Sequence, residues 1–147
     1  GLGDVYKRQP RYRTPVIISD KVNWVDPGDL DVTRSFFIKL LQNWVNDWES
    51  LDVERYLSHY DDKAFFSKEH DYKTWADQKR RVSTGKTEIE VELSNISLFA
   101  YPGEQDMIVA EFTQSYFSNN FESEEEKRLY WKRNDRGQWR IIYEGLQ

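Results

Sequence analysis

A chain of 147 residues with 26 acidic and 21 basic side chains, net charge −5, lacks the basic face that neutralising phosphates requires, which excludes nucleic acid as a partner. Its length fits one domain with one core, and its 8 Phe, 9 Tyr and 6 Trp suffice for that core and for a lined cavity. No apolar run reaches the roughly 18 residues of a membrane span, and the lack of cysteine removes disulfides, thiolate metal sites and a cysteine nucleophile from this chain. The two histidines, His59 and His70, stand at no ligand spacing, so neither a metal nor another cofactor is expected.

Residues 1–9 (GLGDVYKRQ) resemble translated adapter text at the broken ends of metagenomic gene fragments, the alternative being a native flexible terminus. A reading frame truncated upstream is the expectation. Residues 10–29 hold short β-like pieces, Val16–Ile18 and Val22–Val25, among Pro10, Pro15 and Pro27. They cannot form a core alone and read as an entry arm from a preceding domain. The folded domain is predicted over 30–147.

A first helix is predicted from about Asp31 to Ser50, with Asp29 or Asp31 as its cap. Phe37, Leu40, Leu41, Trp44, Val45 and Trp48 recur every three or four residues and form one apolar face. Asp52 can cap a second helix to about His59, with Val53, Tyr56, Leu57 and Tyr60 along one side. Ala64–Phe66 reads as a short extended piece. Asp71 caps a third helix to about Ser83, whose stripe is Tyr72, Trp75, Ala76, Lys79 and Val82, with Gly85 as its stop. Lys79, charged within that stripe, either snorkels to the rim or points into a polar cavity.

Four strands follow: Thr87–Tyr101, Asp106–Asn119, Glu125–Asn134 and Gln138–Glu144. Pro102-Gly103-Glu104 and Asp135-Arg136-Gly137 are tight-turn signals, and Ser118-Asn119-Asn120 reads as a longer connection. The acidic run Glu122–Glu126, broken by Ser123, reads as a solvated hairpin tip. Three helices and then an antiparallel meander make an α+β fold, a curved four-stranded sheet wrapped on helices into an open cone.

Alternation places Ile108, Ala110, Phe112, Gln114 and Tyr116 on one face, and Met107, Val109, Glu111, Thr113, Ser115 and Phe117 on the other. The first face turns polar at Gln114, as a strand at a pocket mouth does, or as a strand end in water does. In the last strand Trp139, Ile141 and Tyr143 oppose Arg140, Ile142 and Glu144. Trp44, Trp48 and Trp75 fit core spacing, with a pocket floor as the alternative, and Trp131 and Trp139 are expected to pair across strands. Catalysis would need a carboxylate base in an apolar cavity and a hydroxyl donor. Glu111, Glu144 and Asp47 are the candidate bases, and Tyr56, Tyr60, Tyr116 and Tyr143 the candidate donors. His59 with Asp61 or Asp62, and His70 with Asp71, are weaker dyads because they fall at turns and caps.

The order of elements resembles the nuclear transport factor 2-like (SnoaL-like) cone. TPVIISDKVNWV, WVNDWESLDVERYLSHY, the run Trp75–Val82, YPGEQDMIVAEFTQSYFS and KRLYWKRNDRGQWRIIYEG resemble the C-terminal domain of YafK-type L,D-transpeptidases, YkuD-containing peptidoglycan enzymes. This resemblance, which runs from about Thr14 to Gly145, implies a bacterial periplasmic or envelope protein whose chemistry belongs to an upstream catalytic domain with a cysteine nucleophile. Lacking cysteine, the present chain would be a non-catalytic accessory domain that binds a peptidoglycan stem peptide (muropeptide) or mediates association. The pocket expected for such a peptide comprises Tyr56, Tyr60, Trp75, Lys79, Gln114, Tyr116 and Lys127. In it the lysines would meet carboxylates, Gln114 an amide, and the rings the aliphatic parts. Two alternatives stay open. One is a free-standing SnoaL- or ketosteroid-isomerase-like enzyme; the other is a homodimerisation module pairing through the outer sheet face at Val109 and Phe117.

Overall fold

The computed structural model describes residues 27–68, 70–101, 103–104 and 106–146, the side chains of 27–32 excepted. The expectations for 1–26 lie outside the described residues. Within them the chain forms α1 (Pro27–Glu49), α2 (Val53–Leu57), α3 (Tyr72–Ser83), β1 (Ile89–Ala100), β2 (Met107–Ser118), β3 (Phe121–Arg133) and β4 (Trp139–Leu146). The strands make one antiparallel sheet in sequence order, the expected α+β meander. Among the described residues no helix is long and apolar enough to cross a membrane.

The helix α1 begins at Pro27, so Asp29 and Asp31 fall inside its first turns instead of capping it. Proline suits that start because the first-turn N–H it lacks would have had no partner within the helix. Phe37, Leu41 and Trp44 are buried against the sheet, each contributing roughly 1.5–3 kcal/mol. The helix stops at Leu51, whose φ of 66° breaks the run. Asp52 then caps α2, accepting from the amides of Glu54 (3.1 Å) and Arg55 (3.3 Å). Asp71 caps α3 through the Thr74 amide at 2.9 Å. Trp75 and Ala76 are buried, whereas Val82 of the same stripe is exposed.

The loop after α2 is stitched to β4: Ile141 N–H donates to the His59 carbonyl (2.8 Å), and Asp61 N–H returns a bond to Ile141 (2.9 Å). Bulges bend the sheet on either side. One lies between Ser94 and Ser97, where Asn95 takes a φ of 54°. The other lies opposite Tyr130 and Trp131, where Tyr130 pairs Tyr143 but Trp131 pairs Ile141, leaving Ile142 extra. Past that bulge the alternation of β4 reverses. Glu144, opposite Leu129, joins the helix-covered face of Trp139 and Ile141, while Tyr143 packs with Tyr130 on the other face.

Three further expectations are corrected. Ser118 pairs Phe121 across a two-residue Asn119-Asn120 turn, so the connection is tight and the run Glu122–Glu126 lies within β3. Pairing with Thr113–Phe117 satisfies that backbone while Glu122, Glu124 and Glu126 point to solvent. Trp131 and Trp139 pack on Phe37 (ring centroids 5.3 and 5.0 Å) and do not sit opposite each other, because Trp131 pairs Ile141 and Trp139 pairs Arg133. Val109 is 0% exposed in a second cluster with Phe99 and Tyr130, which leaves Phe117 as the exposed member of the expected pairing surface.

Candidate functional site

A cavity of about 480 Å³ opens at the end of the sheet formed by the β2–β3 hairpin. Its walls come from the end of α1 (Trp48), the start of α2 (Val53, Tyr56), the last turns of α3 (Lys79, Ser83) and the hairpin strands (Gln114, Tyr116, Ser123, Glu125, Lys127). Leu51, Val82 and Phe121, all exposed, also line it and give it an apolar rim.

The aromatic wall is continuous. The Trp48 ring lies 5.2 Å from both Tyr56 and Tyr116, and Tyr116 lies 6.2 Å from Phe121. Each lysine rests on a ring: Lys127 over Trp48 (5.8 Å), Lys86 over Tyr116 (5.6 Å) and Lys79 over Trp75 (5.6 Å). Such contacts hold a cation at an apolar wall at low cost in desolvation. Lys86 also donates to Ser118 Oγ at 2.9 Å and to Asn120 Oδ1. Burial, foremost, pushes the Lys79 ammonium below the ordinary lysine range; Glu144 opposes this and the Lys127 charge adds to it. Lys127 lies 4.0 Å from Glu125, which stands directly across the strands from Gln114. Gln114 is 2% exposed, and its Oε1 has no hydrogen-bond partner among the described residues.

Behind the cavity lies a polar chain inside the core. Trp44 Nε1 donates to the Tyr60 hydroxyl (3.1 Å), which lies 2.9 Å from the Tyr56 hydroxyl and donates to Glu144 Oε2 at 2.7 Å. Burial first, and then the Glu144 charge, push both phenols well above the ordinary tyrosine range, so both keep their protons.

Of the residues predicted for the pocket, the structure places Tyr56, Lys79, Gln114, Tyr116 and Lys127 on its wall. Tyr60 and Trp75 are instead core residues behind it: their rings are 4.6 Å apart, and Trp75 also packs on Phe65 at 4.4 Å. Trp48, for which a pocket floor was the alternative to core, lines the cavity, and Lys86, Phe121 and Glu125 line it without having been predicted. Trp48, at the end of the α1 stripe and only partly buried against the core, was the available signal; Phe121 and Glu125 depended on the length of β3, and Lys86 on the loop between α3 and β1.

The candidate bases are dispersed. Glu111 sits on the outer face, where Arg128 donates to it at 3.0 Å. Asp47 bonds His59 at 2.7 Å and Arg55 at 2.9 Å in a separate surface recess. His59 therefore pairs with Asp47, not with Asp61 or Asp62, and Asp61 accepts from the Lys63 and Ala64 amides. Asp71 is committed to its cap. Of the three, Glu144 alone is hydrogen-bonded to a tyrosine hydroxyl of the core chain, and it stands behind the cavity wall.

The structure of Bd1075 from Bdellovibrio bacteriovorus superposes with a TM-score of 0.76 at 26% identity, over 97% of this chain and 51% of that one. The helical cell shape determining protein Pgp2 from Campylobacter jejuni gives 0.61 at 27% identity, over 71% of this chain and 38% of that one. A protein of the NTF2-like family from Streptomyces avermitilis gives 0.58 at 12% identity, over 80% and 94%, a likeness of fold alone. The chain thus spans about half or less of the length of the first two. A search of the curated proteins finds no match to the sequence. Residues 36–145 match the family described as the Cds6 C-terminal NTF2-like domain, with helices packed on the same four-stranded sheet, and the chain belongs to that family.

Proposed function

We propose that this domain is the non-catalytic accessory part of a bacterial cell-wall L,D-transpeptidase or carboxypeptidase, and that its cavity holds a peptidoglycan stem peptide in the periplasm. The observation that carries the reading is the cavity itself: an aromatic wall of Trp48, Tyr56 and Tyr116, three lysines, and a buried amide at Gln114. Rings bind the aliphatic parts of a short peptide, lysines its carboxylates, and the amide its backbone. The likeness to Pgp2, described as determining helical cell shape, supports a cell-wall setting. An upstream catalytic domain would supply the chemistry, and this domain would hold or orient the substrate.

The test is a titration of purified muropeptides into the folded chain. The Gln114→Ala/Tyr116→Ala double variant should bind more weakly at unchanged fold. Unchanged affinity in a folded double variant sinks the assignment.

One observation favours the isomerase-like alternative, the hydrogen bond between Glu144 and Tyr60. In that arrangement the Tyr60 proton is held by Glu144, so neither group reaches a substrate unless the wall at Tyr56 moves.

A further inference from the structure

The hydrogen-bond inventory gives the cavity a polarity. Tyr60 has a single hydroxyl proton, and the 2.7 Å contact with Glu144 Oε2 uses it, because a carboxylate oxygen accepts. The Tyr60 oxygen then accepts from Trp44 Nε1–H and from the Tyr56 hydroxyl. The proton of Tyr56 is thereby directed into the core. Gln114 Oε1, buried on the cavity wall without a partner among the described residues, is an open acceptor. A buried carbonyl left this way costs free energy until a donor arrives.

The positive charge lies beside this acceptor. Lys127, 4.0 Å from Glu125, faces Phe112 two pairs along from the Gln114–Glu125 pair; such diagonal neighbours are about 7–8 Å apart. Lys79 reaches the same region from α3, close enough for the two ammonium groups to repel.

A complementary ligand carries an N–H donor within one residue of a carboxylate. A fatty acid has no donor and a neutral sugar has no anion. A free amino acid would bring its ammonium among three lysines. The carboxyl-terminal residue of a peptide, –CO–NH–CHR–COO⁻, meets every requirement.

We propose that the cavity reads the carboxyl terminus of a peptide, its last amide N–H donating to Gln114 Oε1 and its carboxylate held by Lys79 and Lys127. This rests on the stem-peptide reading and narrows it to one end of the peptide. The terminal side chain lies against Trp48 and Tyr116, and the preceding residue leaves over the rim of Leu51, Val82 and Phe121.

The experiment titrates the 147-residue chain, followed by amide and indole NMR shifts, with N-acetyl-alanyl-alanine in its L and D forms. Three more probes are the C-terminal primary amide of that dipeptide, its analogue N-methylated at the last amide, and a disaccharide-tetrapeptide muropeptide. The free dipeptide should bind saturably at the cavity, and N-methylation or amidation should each weaken binding about tenfold or more. Gln114→Leu should erase the N-methyl discrimination, and Lys79→Met the amide discrimination. An N-methyl or amidated probe within about threefold of its parent overturns the proposal, and if the muropeptide still binds the stem-peptide reading survives alone. Both discriminations without muropeptide binding uphold the terminus and remove the stem peptide. No binding by any probe to a chain with a dispersed spectrum ends both.

Discussion

The Tyr60 hydroxyl donates to Glu144 Oε2 at 2.7 Å, joining residues 84 positions apart through the middle of the molecule. Two local features make the contact. Stitching of His59 and Asp61 to Ile141 carries Tyr60 to β4, and the bulge at Ile142 turns Glu144 inward. The pair anchors Tyr56, and Tyr56 is the wall of the cavity.

Tyr60→Phe should therefore destabilise the domain. It strands Trp44 Nε1–H and the Tyr56 hydroxyl, at about 1–3 kcal/mol for each buried group left unpaired. Urea denaturation should show a loss of about 2–4 kcal/mol, within the range of broken buried networks. A loss under about 0.5 kcal/mol, the range of ordinary surface changes, would show that the chain carries little of the stability.

Gln114→Leu should act in the opposite sense. Replacing a buried amide that has no Oε1 partner with a side chain of similar size removes a desolvation cost of about 1–3 kcal/mol. For a chain of this length that is a rise in Tm of several degrees. Stability gained together with ligand binding lost would mark Gln114 as a residue kept for binding. A fall in Tm would show that its amide is satisfied in the native state.

Anion binding should weaken at alkaline pH. Burial holds the Lys79 pKa below 10.5, so the free site loses this charge as pH rises through the lowered value. A carboxylate ligand favours the charged form, and its affinity falls over the same window. Lys79→Met should flatten that limb of an affinity–pH profile; a limb that persists in the variant assigns the titration to another group.

The acid limb of stability has a named contributor in Asp71. The bond from the Thr74 amide lowers its pKa from 3.8. Its contribution is complete above the unfolded value and is lost as pH falls through the lower folded one. Glu54, lowered from 4.5 mainly by its bond to Arg80, acts in the same sense. Asp71→Asn keeps an acceptor at the cap without the titration, so stability followed from pH 5 downwards, about where such losses begin, should decline less steeply. An identical slope would remove Asp71 from the acid transition.

On the far face of the sheet, Arg128 and Glu111 form a buried pair at 3.0 Å. Removing one partner leaves the other charge buried, so Arg128→Met should cost about 3–5 kcal/mol in chemical denaturation. Glu111→Leu/Arg128→Met together should recover much of that loss. Without recovery, the arginine matters through other contacts.

Much of the site was legible along the chain. Capping at Asp52 and Asp71 and the apolar stripe of α1 depend on neighbours within a turn or two, and the structure has them where the sequence predicts. Strand alternation put Gln114 and Tyr116 on the cavity side because the period of two holds wherever β2 runs without a bulge. Lys79, charged within an apolar stripe, was a local anomaly with a tertiary meaning.

The start of β3 was not legible. Four glutamates in five positions read as solvent-exposed chain, and only pairing with β2 made them strand, bringing Phe121, Ser123 and Glu125 to the cavity. Tyr60 and Trp75 share a helical face with true wall residues, and their depth depends on Phe65 and β4, which no periodicity reports. Glu144 shows the division most sharply. Sequence alternation assigns it to the face of Arg140 and Ile142, and a single extra residue in the pairing of β4 reverses that assignment. Local propensity and period determined the elements and their caps; a bulge is a property of two strands together, so the tertiary structure alone decided which side of the sheet received the carboxylate.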